Sequence, residues 1–421
     1  MRNKGTLAGV MVLLALTRGL VGQSQPATPV IETLELVTDE AMAGDSGNAW
    51  GGHQARIVRT DEGVFTAYTA AGGFDREWRL VKRTDEGWKL IKSDRSGREP
   101  VNLLAGPGGT LHIVAWPDKR PTVWTATRAN GKYRVPDEVV PGAWEDSHWP
   151  YNAAGIDSEG NICIVQSCGG NSNKSPAKIN LAYTGPANQR AGSRDKWRFH
   201  SLPTDFRHCY AYVIPQAGGG LSLVASRDVK YEAFGIPTPP EHQKYPYVFN
   251  EWRLWRSPDI LRKPLAEAGS IESPISPDFL RADCRALDAY MDTTGRMHVL
   301  HSFATRETGG KWQIRHAVLS RDGAVLKDVL LPGNPGLCRI FQDSTGRFYI
   351  LAESGLIYPA LNDDGTELDK PIQLDLKGYK VEYAGYGLSL PRCGTPLADI
   401  IDGVFPSGGG KQWVYFRLRL R

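Results

Sequence analysis

The stretch CRIFQDSTGRFYILAES, residues 338–354, decides the fold because it is a complete strand-turn-strand unit that recurs along the chain. Apolar residues lead into the turn, Asp343 to Gly346 form a polar turn that ends in glycine, and apolar residues follow it. This pattern predicts two antiparallel strands joined by a tight turn.

Similar units appear at intervals through the whole chain. Aligned on their turn glycines, they centre on Gly63, Gly109, Gly160, Gly220, Gly295 and Gly346, with a weaker seventh at Gly394. Successive glycines are 46 to 75 residues apart. Seven units of roughly fifty residues are typical of the blades of a β-propeller.

The sequence between the hairpins predicts a third and a fourth strand for most blades. EWRLVKRT (77–84) and EWRLWRS (251–257) are examples of predicted third strands. The last blade lacks an outer strand after 411–420, and VIETLELV (30–37) is the simplest candidate to supply it. We therefore predict an all-β, seven-bladed propeller of four-stranded blades, closed by the N-terminal strand; a pair of β-sandwiches or a solenoid is the alternative.

The N-terminus predicts export. Arg2 and Lys4 precede a short apolar run, Leu7 to Leu16, and small residues follow near Gly22. This is the pattern of a signal peptide (1–22), which leaves 23–421 as a single propeller domain and a secreted or periplasmic protein. Removing 1–22 lowers the formal net charge from +4 to +1, which does not favour nucleic-acid binding. We expect no membrane association after cleavage, and a monomer.

Metal and disulfide signals are weak. The six cysteines of an exported chain permit disulfides, and Cys163 and Cys168 are close enough to bridge, but buried thiols on strands are favoured. No CxxC pair exists, and LNDDGTELD (361–369) misses the EF-hand spacing. The sequence predicts no cofactor and no metal site, but it does not exclude a structural calcium or zinc ion.

In a propeller, the residues just before each inner strand converge on one mouth of the central channel. The side chains in this register that suit chemistry or binding are Trp50, His53, Gln54, His148, Trp149, Tyr151, His208, Tyr210, Arg281, Asp283, Arg285, Arg339, Tyr383 and Tyr386. The second blade offers Glu99 and Asn102. Three of the nine histidines fall here, which favours a functional cluster, although each one alone is typical of a hydrogen-bonded structural residue.

The residue types in this register favour elimination over hydrolysis by a pair of carboxyl groups. Carboxylates are scarce in this register, whereas a conventional glycosidase needs two opposed carboxyl groups. His208 and Tyr210, two apart on a strand, are expected on the same side, about 7 Å apart. An arginine for a substrate carboxylate, a base and an acid are what elimination from a uronate requires. A Pro-rich, aromatic insertion, 231–252, is long enough to cover this mouth, or is a plain surface loop.

The turns DSEGNICI, DTTGRMHV and DSTGRFYI, with AWGGHQAR before the first hairpin, resemble those of the BNR-repeat, sialidase-like propellers. Nearly the whole mature chain looks like the branch that holds the ulvan lyases, the rhamnose-glucuronate lyases and the α-L-rhamnosidases. The resemblance implies a histidine and a tyrosine as base and acid, to which His208 and Tyr210 correspond by type. It also implies an essential histidine near the first blade in the rhamnosidases, which His53 matches by place. True sialidases match poorly, because these turns lack their tryptophan.

The leading hypothesis is therefore a polysaccharide lyase that acts on a uronic-acid-containing, rhamnosylated glycan. His53, His208, Tyr210 and His148 are the candidate catalytic residues. The candidate substrate-binding residues are Trp50, Gln54, Trp149, Tyr151, Arg281, Arg285, Arg339 and Tyr386. A rhamnosidase that uses His53 and a non-catalytic glycan-binding propeller with stacking aromatic residues are the alternatives.

Overall fold

The computed structural model describes residues 28–42, 52–70, 76–97, 99–118, 120–126, 138–145, 151–170, 176–185, 197–383 and 385–421. Within these ranges the chain forms seven four-stranded antiparallel sheets, which confirms the seven-bladed propeller of the sequence analysis. No helix among the described residues is long and apolar enough to cross a bilayer. The predicted signal peptide, 1–22, lies outside the described residues.

The first four blades follow one another along the chain, each running from its inner to its outer strand. Their strands are β2 (Ile57–Thr60), β3 (Gly63–Ala70), β4 (Glu77–Thr84) and β5 (Gly87–Arg95); β6 (Asn102–Ala105), β7 (Leu111–Ala115), β8 (Thr122–Ala126) and β9 (Glu138–Val139); β10 (Tyr151–Ile156), β11 (Ile162–Gly169), β12 (Ala177–Thr184) and β13 (Trp197–Thr204); and β14 (Arg207–Gln216), β15 (Gly220–Lys230), β16 (Tyr247–Ser257) and β17 (Ala266–Glu272).

The last three blades complete the ring. Their strands are β18 (Ala286–Met291), β19 (Met297–Phe303), β20 (Gln313–Leu319) and β21 (Val325–Leu330); β22 (Cys338–Gln342), β23 (Phe348–Ala352), β24 (Leu356–Pro359) and β25 (Ile372–Gln373); and β26 (Gly387–Leu388), β27 (Ile400–Ser407), β28 (Gln412–Arg419) and β1 (Val30–Thr38). In the seventh blade β1 is the outer strand, and it pairs antiparallel with β28 from Val30 opposite Arg419 to Thr38 opposite Trp413.

Short 3₁₀ turns occupy some of the connections between strands. They are Pro107–Gly109, Ala217–Gly219, Tyr231–Phe234, Pro240–His242 and Pro391–Cys393. The seventh unit departs from the predicted hairpin, because Gly394 follows the last of these turns and β27 begins only at Ile400. The weak match of this unit to the repeat therefore reflects a longer connection between its first two strands.

The aspartates of the repeated turns are structural. The Asp343 carboxylate accepts hydrogen bonds from the backbone N–H groups of Thr345 at 2.8 Å and Arg347 at 3.1 Å. Asp292 and Asp157 cap their own turns in the same way. Gly346 takes a left-handed φ of 88°, which suits glycine. The turn motif therefore builds hairpins, and its aspartates are engaged in capping them.

The core lies between adjacent blades, where the apolar faces of neighbouring sheets meet. β22 and β23 are buried along their whole length, as expected for inner strands with a sheet on either side. All six cysteines are free and buried, which confirms the expectation of thiols on or beside strands. Burial raises the pKa of Cys168 to about 12, so this thiol stays protonated.

Candidate functional site

The residues that precede the inner strands meet at one mouth of the channel. His53 precedes β2, Tyr151 begins β10, and Arg285 immediately precedes β18. The insertion between β15 and β16 lies at the same end, because β15 ends where β14 begins. The blade register of the sequence therefore brings these predicted residues to one end of the channel. Trp50, His148 and Trp149 lie outside the described residues.

His53 is buried at this mouth. It is 1% exposed, and its ring centroid lies 5.5 Å from that of Tyr210 and 6.3 Å from that of Tyr212. Neither imidazole nitrogen has a hydrogen-bond partner within the described part of the chain. Burial, followed by the charges of Arg56, Arg392 and Arg339, holds the pKa of His53 well below 6.5. His53 is therefore a neutral imidazole with an unused acceptor.

Two of these arginines are anchored to backbone carbonyls. The Arg339 guanidinium donates to the carbonyl oxygens of Tyr386 at 2.7 Å and Leu287 at 2.9 Å. Arg392 donates to the carbonyl of Gly52, and its guanidinium carbon lies 5.2 Å from the Tyr212 ring centroid. These two buried side chains therefore tie the last three blades to the segment before the first. For Arg339, a structural role is better supported than substrate binding.

Gln54 belongs to a buried polar chain beside His53. Its amide nitrogen donates to Glu99 at 3.2 Å, and its amide oxygen accepts from Arg56 at 2.9 Å. Burial lowers the pKa of Arg56 to about 9, while Glu99 acts in the opposite direction. All three side chains are buried, and this hydrogen-bonded network holds the segment that carries His53 in place.

Tyr210 occupies an irregular position in β14. The register of β14 against β15 shifts between Cys209 and Tyr212, and Tyr210 has a left-handed φ of 56°. Such a bulge re-aims a side chain, and a non-glycine residue in this region is strained. The Tyr210 ring lies 5.0 Å from the Tyr151 ring and remains half-buried.

The Tyr210 hydroxyl is held in its protonated form. Burial raises its pKa above the usual value, although Arg285 and a side-chain hydrogen bond with Tyr151 act in the opposite direction. Tyr210 therefore carries its proton at neutral pH.

His208 has different surroundings. Its ring packs edge-on against Trp255 at 4.9 Å between centroids, and its Nδ1 lies 2.8 Å from the Phe206 carbonyl oxygen. Burial, then the charge of Arg253, lowers its pKa to about 3. The regular alternation expected from His208 to Tyr210 does not hold, because the bulge intervenes. The contacts of His208 are thus distinct from those that Tyr210 makes with His53 and Tyr151.

Arg285 supplies the half-exposed cation of the mouth. Its guanidinium carbon lies 5.7 Å from the ring centroids of both Phe249 and Trp312. The Trp312 indole donates to Asp283 at 2.8 Å, and burial raises the pKa of Asp283 while Arg285 acts against that rise. Arg281 is exposed. Of the predicted substrate-binding arginines, Arg285 is the one beside the Phe249 ring, whose centroid lies 5.7 Å from that of Tyr210.

The remaining predicted aromatic residues have structural contacts. Tyr386 is buried against Phe405 and Phe416, with ring centroids 5.5 and 5.3 Å away. Tyr383 is exposed and donates to the Gly409 carbonyl at 3.1 Å. Tyr386 therefore contributes to the core of the seventh blade.

Several residues of the candidate site were not predicted from the sequence. Arg392 comes from a turn after β26, and Phe249 and Trp312 come from third strands or the residue before one. The sequence prediction considered only residues that precede inner strands, and these residues lie elsewhere in their blades. Tyr212 was omitted although it lies two residues beyond Tyr210, and the bulge brings both rings near His53.

The opposite mouth of the channel holds a cavity of about 910 Å³. It is lined by the hairpin turns, including Gly106–Gly109, and by Arg392. Its Asp157 and Asp292 carboxylates are already engaged in capping turns. Among the described residues, no cluster of three or more His, Cys, Asp or Glu side chains is arranged to hold a metal ion.

The fold and this mouth define the protein as a seven-bladed propeller with an aromatic and cationic site at one end of its channel. No family model matches the chain, and no curated protein matches its sequence. Among solved structures, polysaccharide lyase Uly1 is similar over 93% of this chain and 100% of its own, at 11% identity and a TM-score of 0.55.

Other propellers are also similar. Virginiamycin B lyase from Staphylococcus aureus covers 92% of this chain and 99% of its own at 10% identity, with a TM-score of 0.47. The Pan2 WD40 domain of Neurospora crassa covers 92% and 95% at 10% identity, with a TM-score of 0.45. At such identities the likeness shows the fold alone.

Proposed function

We propose that the protein is an exported polysaccharide lyase that cleaves a uronic-acid-containing, rhamnosylated glycan by β-elimination. The observation that carries the proposal is the grouping of His53, Tyr210 and Arg285 at one mouth of the channel. These are the residue types that such an elimination needs, and two of them are half-exposed there.

Each side chain has a distinct part in the reaction. Arg285 pairs with the uronate carboxylate, which makes the proton on the adjacent carbon more acidic. His53 takes that proton, a carbon–carbon double bond forms, and the bond to the leaving sugar oxygen breaks. Tyr210 donates its hydroxyl proton to that oxygen. Proton uptake from solvent by Tyr210 and release by His53 complete the cycle.

The charge around His53 makes its basicity depend on the substrate. Burial, and then the charges of Arg56, Arg392 and Arg339, disfavour the imidazolium form. A bound uronate brings a negative charge that offsets part of this effect, so the pKa of His53 rises when the substrate is present. The free protein therefore keeps its base neutral and ready to accept a proton.

Ultraviolet absorbance of the unsaturated uronate product tests this proposal directly. Wild-type protein incubated with ulvan, gum arabic and polygalacturonate should generate it from at least one of these glycans. Tyr210→Phe and His53→Gln should each lower kcat about a hundredfold or more, since each removes a proton-transfer group. If no uronate polysaccharide yields the unsaturated product, the β-elimination mechanism is ruled out.

Two matched controls separate chemistry from folding. Tyr183→Phe removes a buried hydroxyl that lacks a partner among the described residues, and it lies on β12 away from the mouth. His200→Gln changes a histidine on the outer strand β13. Both controls should retain wild-type turnover.

One observation favours a second candidate, a non-catalytic propeller that binds acidic glycans. His53 is only 1% exposed, whereas Tyr210 and Arg285 are half-exposed, so a sugar meets the latter two first. Affinity retained in the His53→Ala and His208→Ala double variant, with no turnover by wild-type protein, would support binding alone. Release of rhamnose without ultraviolet absorbance would instead indicate a rhamnosidase.

A further inference from the structure

The insertion between β15 and β16 is folded and not a loose loop. Tyr231, Ile236 and Val248 are buried together with Val229 in a small apolar cluster of their own. β16 begins at Tyr247, four residues earlier than its predicted start, so the strand extends into the insertion. The side chains on this extension are therefore held in fixed positions.

Three aromatic residues at alternate positions form what we call the aromatic row: Tyr245, in the bend just before β16, and Tyr247 and Phe249 on the extension. The ring centroids of Tyr245 and Tyr247 are 6.2 Å apart, and those of Tyr247 and Phe249 are 6.0 Å apart. The Phe249 ring lies 5.7 Å from that of Tyr210. The row therefore runs without interruption into the candidate site.

Exposure increases outward along the row. Phe249 and Tyr247 are half-buried, and Tyr245 is 57% exposed at the outer end. Trp312 is 39% exposed, and its ring centroid lies 5.7 Å from the Arg285 guanidinium carbon. Exposed aromatic rings with polar edges are typical of surfaces that contact sugars, because each ring offers an apolar face and a wet rim.

Cations accompany the row at both ends. The Lys244 ammonium lies 5.3 Å from the Tyr245 ring centroid, and the Arg285 guanidinium lies 5.7 Å from the Phe249 ring centroid. A ligand stretched along the row would therefore meet positive charge at its outer end and again beside Tyr210. This arrangement complements a chain that carries repeated carboxylates.

We propose that the aromatic row is an extended subsite on which the sugars of an acidic polysaccharide stack beyond the bond to be cleaved. The proposal deepens the proposed function and rests on it for the site that the row leads to. It commits the substrate to a polymer and not to a single terminal sugar, because Tyr245 is three ring-to-ring steps from Tyr210.

Affinity electrophoresis tests the row without requiring turnover. Wild-type protein should be retarded in gels that contain ulvan, gum arabic or polygalacturonate, and the Tyr245→Ala/Tyr247→Ala double variant should bind about tenfold more weakly. Leu326→Ala is the matched control, since Leu326 is an apolar residue on β21 with 56% exposure. The control should migrate like wild type.

A kinetic comparison separates this proposal from the proposed function. In the double variant, kcat/KM should fall about tenfold on the polymer and stay unchanged on the shortest oligosaccharide that is cleaved. If the wild type and the double variant cleave the polymer with equal kcat/KM, the subsite proposal is wrong and the lyase proposal stands. If retardation in the gel depends on Tyr245 and Tyr247 but no glycan is cleaved, the lyase proposal is wrong and the subsite proposal stands. If none of the three glycans changes the migration of the wild-type protein and none is cleaved, both proposals are wrong.

Discussion

A single irregular residue decides which side chains meet at the mouth. Tyr210 takes a left-handed φ inside the bulge of β14, and its ring lies against those of His53 and Tyr151. His208, on the same strand, packs against Trp255 instead. Strain of this kind is concentrated at functional sites, where the surrounding structure maintains it. At the residue scale, the bulge is the strongest structural mark of the site.

Buried histidines make the stability of the protein dependent on pH. Burial lowers the pKa of both His208 and His316 to about 3, and that of His53 is also lowered. Below about pH 6.5 the unfolded chain binds protons at these positions and the folded chain does not. Their contribution to stability is therefore complete above pH 6.5 and is lost progressively as the pH falls towards 3.

Urea unfolding between pH 7.5 and 5 measures this loss. Each histidine should lower the free energy of unfolding by at most about 1.4 kcal/mol for each pH unit below 6.5. The His208→Gln variant should show a shallower dependence on pH than wild type, whatever its absolute stability. An equal slope in both proteins would contradict the assignment of His208 as a neutral buried group.

At the scale of the elements, the hairpin turns line the end of the channel opposite the candidate site. The aspartate caps and turn glycines were predictable from sequence, because they depend on residues four apart. The connection from β26 to β27 was not, because its course depends on a contact with another blade. There, Gly394 approaches the Ala105 carbonyl so closely that an added Cβ would lie 1.7 Å from the oxygen.

Two glycine substitutions distinguish backbone strain from close packing. Gly394 and Gly108 both have a left-handed φ, but an added Cβ at Gly108 would meet nothing within 4 Å. Gly108→Ala should therefore cost about 1 kcal/mol, from the backbone conformation alone. Gly394→Ala should cost at least about 2 kcal/mol more, since the second blade must move. Chemical denaturation of the two variants compares these costs, and equal losses would argue against the packing contact.

At the scale of the whole molecule, the ring depends on strands from the two ends of the chain. β1 and β28 are paired along nearly their whole length, and Arg83 of the first blade forms an ion pair with Glu35 at 2.7 Å. Without β1, the backbone groups of β28 would form an open sheet edge, which invites pairing with other chains.

Deletion of residues 28–38 tests the importance of this strand. Compared with a chain that begins at residue 28, a chain that begins at residue 39 should melt about 10 °C or more lower and aggregate in a concentration-dependent way. A peptide with the sequence of residues 28–40, added in excess, should restore part of the lost Tm. Unchanged Tm and solubility after the deletion would show that the strand contributes little to the ring.

Sequence by itself determined the all-β class, the number of blades and their turn chemistry, and it predicted which residues gather at one mouth. These properties repeat locally, so each unit confirms the others. Only the tertiary structure decided which side chains meet there. Arg392 reaches the backbone of Gly52 across 340 residues of sequence, and the bulge at Tyr210 separates it from the surroundings of His208. Contacts across a closed ring depend on side-chain direction and on the packing of distant blades, which no local periodicity encodes.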